Sequence, residues 1–282
     1  MTDLSPISQP PNGLEMNAVG QTIFTIGVAA VWVVAIALAV RYWRRHQSIV
    51  PLLLLAGGTV CIVFEPIVDV LGMCFFPRHN QWVGIEIIGR PIPLFMYPVY
   101  SWFVGGQAIL VWHLLRKGLN RRQFWNLWFA IMAVDVVLET PGILMHVYTY
   151  YGSQPFNPWG LPLWWPPVNA TMPIVAGYLV YRTAPLLQGW KSLLILALLP
   201  MADGVANAAT AWPVWLTLNT RLGMAATYPA AIVTFGLGAV VLWVVTLGLP
   251  AAAPAPAPEA APNGAGAPRL TPEMAPAGGQ AR

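Results

Sequence analysis

Seven stretches of this 282-residue chain stay apolar for 18 residues or more, the length at which a segment becomes a candidate to cross a bilayer. They fall at about 20–42, 49–73, 92–115, 124–148, 165–185, 190–212 and 225–248. That pattern leaves few options, because in lipid every backbone polar group must be satisfied internally, and only helices or closed barrels do so. Runs of this length suit helices. The sequence therefore predicts an all-α membrane protein, a seven-transmembrane helix bundle over residues 20–248. A polar segment at 1–19 precedes it and a Pro/Ala/Gly-rich tail at 249–282 follows. Charged residues make up 9% of the chain, against about 25% in soluble proteins, which excludes a soluble catalytic domain. The polar segment lacks the basic start of a signal peptide, so the first span is expected to act as the insertion signal. The tail is expected to be disordered and partly polyproline.

The basic residues orient the bundle. Arg41, Arg44 and Arg45 follow the first span, Arg116, Lys117, Arg121 and Arg122 separate the third and fourth, and Arg182 and Lys191 flank the turn between the fifth and sixth. Lys/Arg excess marks the cytoplasmic side, which puts the N-terminus outside and the C-terminus in the cytoplasm. The net charge of +4 thus speaks for topology and not for a nucleic-acid partner.

Five acids lie inside these apolar runs: Glu65 and Asp69 in the second, Asp135 and Glu139 in the fourth, Asp203 in the sixth. An ionised Asp at a span centre costs roughly 2.5–3.5 kcal/mol, so five unpaired ones could cost on the order of 10 kcal/mol. Spans two, four and six run outward, and all five acids fall in the outer half of the membrane. Scattered structural acids would not agree in this way.

A diverged repeat accompanies them. Glu65-Pro66 is followed by Pro93 through Tyr100, and Glu139-Thr140-Pro141 by Pro162 through Asn169; Asp203 is followed by Tyr228-Pro229. This reads as one leading helix and three parallel helical hairpins, each with acid on its ascending arm. Prolines opening the descending arms suit a first helical turn, and Pro173 is expected to kink span five.

Residues four apart share a helix face, which pairs Glu65 with Asp69 and Asp135 with Glu139. Two carboxyls crowded in a dry site do not both ionise, so such a pair keeps a neutral acid able to give up a proton. Tyr97, Tyr100, Trp102, Trp164 and Trp165 lie near the same mouth, where aromatic faces can steady a cation. Asn169 and Asn207 are candidate hydrogen-bond partners for acids or substrate, and His146, seven residues after Glu139, a candidate proton relay. The plainer alternatives are packing pairs with Arg78, Arg90, His146 or Asn207, and an aromatic membrane belt. Cys61 and Cys74 form no CxxC, and no HExxH or clustered His/Cys set suggests a metal or other cofactor. No lysine lies mid-span for a Schiff base.

Seven spans, a Glu late in span two and an Asp late in the chain resemble the small integral-membrane terpene cyclases, distantly similar to heterodimeric-type lycopene cyclases. The resemblance implies a metal-free cyclase or isomerase in which an intramembrane acid protonates a lipophilic terpenoid, with Glu65 matching the span-two acid and Asp203 the late one. A proton-coupled transporter or small-molecule receptor, and a Mg²⁺-dependent prenyltransferase, are the alternative expectations.

Overall fold

In a computed structural model, residues 10, 11 and 13–249 are described. The predicted tail, but for Leu249, and most of the segment before the first span lie outside them. Seven helical rods run in chain order: α1 (Ala18–His46), α2 (Val50–Gly72), α3 (96–116), α4 (Arg121–Leu144), α5 (Trp165–Thr183), α6 (Gly189–Leu218) and α7 (Met224–Leu247). Five of them, α1, α2, α4, α6 and α7, are long and apolar enough to cross a membrane. The other two differ for local reasons. A π-helical stretch, Ser101–Gly106, interrupts α3. In α5 the apolar run is diluted by Pro166, Pro167, Asn169, Thr171 and Pro173, and most of its residues are buried between α3, α4, α6 and α7. A helix that meets protein on all sides needs no lipid-compatible surface.

The outward faces are a different matter. Val137 is 74% exposed and Ile26 65%, in a surface that also displays Val205, Ile232 and Trp243. Water-soluble monomers seldom show contiguous apolar surface on this scale, whereas hydrocarbon accepts it. The protein is a mostly helical, multi-pass membrane protein.

Capping explains several helix ends. The Asn17 side chain accepts from Gly20 N at 2.9 Å to open α1, and Gln47 in the left-handed conformation closes it. Asn120 and Gln123 form a reciprocal capping box at the start of α4. The rods pack as α1 on α2, α2 on α3, α3 on α5, α4 on α5, α5 on α6 and α6 on α7, with α2 also against α6.

Long-range bonds fix which ends lie together. Asn219, just past α6, donates to Leu71 O at the end of α2 at 2.9 Å. Strand β1 (Cys74–Phe75) after α2 pairs antiparallel with β4 (Thr149–Tyr150) after α4, and Glu15 before α1 bridges to His79. At the opposite end Arg116 donates to Tyr42 at 2.9 Å, and Arg121 to Leu249 O at 3.1 Å. A second strand pair, the hairpin of β2 (Val83–Ile87) with β3 (Arg90–Pro93), belongs to the α2–α3 connection at the first, strand-bearing end.

Two sequence expectations change. Span three was expected from residue 92, but Arg90–Pro93 is strand and the helix begins at Met96. Span four was expected to run to 148, but α4 stops at Leu144, and His146 follows with φ 55°. Helical spacing therefore no longer relates His146 to Glu139. Pro173 lies inside α5, which is continuous from Trp165 to Thr183.

Candidate functional site

The second rod is broken where it matters. Pro66 has no N–H to give to Ile62 O four residues back, so the ladder tightens into a 3₁₀ turn over Cys61–Phe64 and restarts at Glu65. Glu65 heads the new segment and Asp69 follows one turn later on the same face; both are buried.

The acids of α2 and α4 find partners on another rod or loop. The Tyr100 hydroxyl donates to Glu65 Oε2 at 2.5 Å. Asn169 Nδ2 lies 2.9 Å from Asp135 Oδ1 and 2.9 Å from Glu139 Oε1, bridging the pair. Tyr150 donates to Glu139 Oε2 at 2.8 Å, and Tyr148 to the Glu139 carbonyl at 3.1 Å. In the repeat register Tyr100 stands two residues after Pro98, and Asn169 two after Pro167. In two segments the residue two after the proline thus holds an acid of the preceding rod. The third has Ala231 there, and Asp203 is instead held within its own helix by Asn207 Nδ2 at 2.9 Å.

Glu65, Asp69, Asp135 and Glu139 line one cavity of about 90 Å³. Asn169, Asn207, Tyr100 and Trp165 join them, with aromatic walls from Phe24, Phe76, Phe103, Tyr148 and Tyr150. Among the described residues lining it there is no Lys, Arg or His. Asp203, fully buried, does not reach the wall but lies within electrostatic range of Glu65. The expected basic partners make their hydrogen bonds away from the acids, although Arg90 stays within electrostatic range of Asp69. Arg78 pairs with Glu86 at 2.8 Å, Arg90 donates to Tyr151 at 3.2 Å, and His146 is exposed beside a separate surface cleft.

Glu139 has both carboxyl oxygens hydrogen-bonded. Glu65 has a single bonded oxygen among the described residues, and at 9% exposure it is the most accessible of the five acids. That makes Glu65 the group best placed to meet a molecule in the cavity. Burial first, and then the neighbouring Glu139 charge, hold the Tyr150 phenol well above the ordinary phenol range, so it remains a donor. Burial, followed by Asp69, does the same to the Cys74 thiol. Among the described residues no three His, Cys, Asp or Glu side chains are grouped as a metal-binding set.

The other aromatic candidates do not line the cavity. Tyr97 contacts Gly84 of β2, Trp102 packs on Phe103, and Trp164 stacks on Trp165 with centroids 4.3 Å apart. Sequence reasoning missed Cys74, Tyr148, Tyr150 and Gln154. The last pins the loop over the cavity, donating to Gly72 O at 2.8 Å and Tyr151 O at 3.0 Å while accepting from Trp164 Nε1 at 3.1 Å. A buried donor left without its partner costs about 1–3 kcal/mol. Gln154→Ala is therefore expected to destabilise the protein by about that amount, read as a lower midpoint in thermal unfolding; an unchanged midpoint would refute the role.

Comparison of the chain with models of known protein families, with curated proteins and with solved structures returns no match.

Proposed function

We propose that the chain is a seven-span membrane enzyme, N-terminus outside and C-terminus cytoplasmic, that cyclises or isomerises a lipophilic terpenoid by intramembrane protonation. In this reading one leading helix and three hairpins surround the acid cavity, whose mouth faces the outer leaflet. The observation that carries it is the clustering of four carboxyls in one aromatic-walled cavity with no basic side chain among the described residues that line it. Unpaired carboxylates in such a place are costly, so the cluster is stable only while it holds protons. Protons held beside aromatic faces are what acid-initiated cyclisation requires.

The neutral Glu65 gives its proton to an epoxide oxygen, whose C–O bond then breaks, or to an alkene carbon. The cation formed moves along the chain as C–C bonds close, steadied by ring faces worth about 2 kcal/mol when desolvated. A carboxylate of the Asp135–Glu139 pair takes the terminal proton. One proton enters and one leaves, so no co-reactant is consumed. At about 10–15 Å³ per water-sized group, the cavity of about 90 Å³ holds the reacting end of a chain, with the remainder in the bilayer.

The test is product analysis of cells making the protein and fed an epoxidised prenyl precursor, with and without a metal chelator. A cyclised product that survives chelation and is lost in Glu65→Gln supports the proposal. A product that vanishes with the chelator turns the reading to a Mg²⁺-dependent transferase. No product from correctly inserted protein turns it to proton-coupled transport or ligand reception.

A further inference from the structure

A site that gives up protons must be reloaded, and one residue belongs to two spaces. Asp69 lines the acid cavity and also lines a separate cleft of about 420 Å³ at the strand-bearing end. That cleft is bounded by Pro77, Arg78, His79, Gly89, Arg90 and Pro91, a polar lip formed by the connection between α2 and α3. Asp69 itself is only 3% exposed, and its Oδ2 is buried with no hydrogen-bond partner among the described residues. A buried carboxyl in the partition between a surface cleft and the acid cavity, with an oxygen uncommitted among the described residues, has the geometry of a relay.

We propose that Asp69 is the proton gate of the cavity, passing protons from the cleft to Glu65. This deepens the proposed function, since it states how that site is refilled, and it rests on that reading only for the identity of the reaction.

The charges around Asp69 fit the task. On the cavity side stand Glu65 on its own helix and Glu139 on α4; on the cleft side stands Arg90 of β3, and the Cys74 thiol lies beside it. When Glu65 has lost its proton, its negative charge draws the proton from Asp69. The O–H bond on Asp69 breaks as that on Glu65 forms. Asp69 is then ionised within electrostatic range of the Arg90 guanidinium, which favours that charge until a proton from the cleft restores the neutral acid. No other reactant is needed. The remaining cavity acids, Asp135 and Glu139, already have Asn169 and Tyr150 as partners and do not line the cleft.

The test reads protons directly. The protein in lipid vesicles is moved from H₂O to D₂O, and the shift of the carboxylic C=O stretch of its buried acids is followed by infrared absorption. Loss of a band in Glu65→Gln identifies the Glu65 signal. Asp69→Asn, close in shape but unable to pass a proton, is expected to slow exchange of that signal by about tenfold or more. Asp69→Glu retains a carboxyl and is expected to restore it. Wild-type exchange in Asp69→Asn overturns the gate, and so does equal slowing in both variants, which would mean lost packing. The two readings fail separately: Asp69-dependent exchange without any cyclised product sinks the cyclase and leaves the gate, whereas product formation with Asp69-independent exchange does the reverse.

Discussion

Glu65→Gln is expected to lower product formation by about 10²–10⁴-fold, the range over which positioned general acids contribute. Glutamine fills the same volume and can still accept from the Tyr100 hydroxyl, now 2.5 Å from Glu65 Oε2, so the fold and the cavity wall survive. What it cannot do is release a proton. Tyr100→Phe separates donor from partner: the ring stays in the wall, but Glu65 loses its one hydrogen bond among the described residues. A bond to a charged group is worth about 1.5–3 kcal/mol, so this variant should lose about 10- to 100-fold if the bond steadies the carboxylate left after proton transfer. Asp203→Asn, behind the wall, should fall less far than Glu65→Gln. The comparison is made on rates per inserted molecule, and a Glu65→Gln protein turning over at the wild-type rate would remove Glu65 from the donor role.

The second large effect concerns two neighbouring glycines of α3. A Cβ on Gly105 would run into Leu54 O and lie 2.9 Å from Leu55 Cα, in the backbone of α2. Opposite it, a Cβ on Gly58 would lie 2.6 Å from Gly105 N. The rods touch backbone to backbone there, the close approach that small residues permit in membranes. Ser101, in the same π-helical stretch, donates to Leu55 O at 3.0 Å and fastens the seam. Neither backbone can give way, so Gly105→Ala is expected to cost about 1–3 kcal/mol, as overpacking does, and Gly105→Leu to prevent folding. Gly106 is the control. Its added Cβ would meet nothing nearer than Trp102 Cβ at 3.7 Å, an ordinary contact, and Gly106→Ala should unfold like wild type. Denaturant titration of the three proteins decides it; equal stability of Gly105→Ala and Gly106→Ala would show that the seam yields.

Much of this was visible in the residues themselves. The helical runs emerge from hydropathy because lipid admits so few structures, and the acids announce themselves because charge is so costly there. Hydropathy could not show that Asp203 stops short of the cavity wall, since spacing along α6 sets its depth in the membrane but not its distance from α2. The roles of Tyr148 and Tyr150 were hidden for another reason. They lie past the end of α4, in a stretch that counts as apolar, and only the pairing of β1 with β4 folds them back over Glu139. Pro66 was a legible signal for the break before Glu65. The π-helical stretch was not, because Gly105-Gly106 alone does not distinguish it from α-helix.

The break at Pro66 also sets how deep the site is electrically. Glu65 lies seven residues from the end of α2 at Gly72, about 10 Å at 1.5 Å per residue, in a hydrocarbon core about 30 Å thick. A proton travelling from the strand-bearing face to Glu65 crosses only about a third of the voltage drop. At about 2.3 kcal/mol per charge per 100 mV for the full span, that journey is worth less than about 1 kcal/mol. If Glu65 is loaded from that face as proposed, the occupancy of the cavity would follow the acidity of the medium there, and 100 mV of membrane potential would shift it by only about half a pH unit.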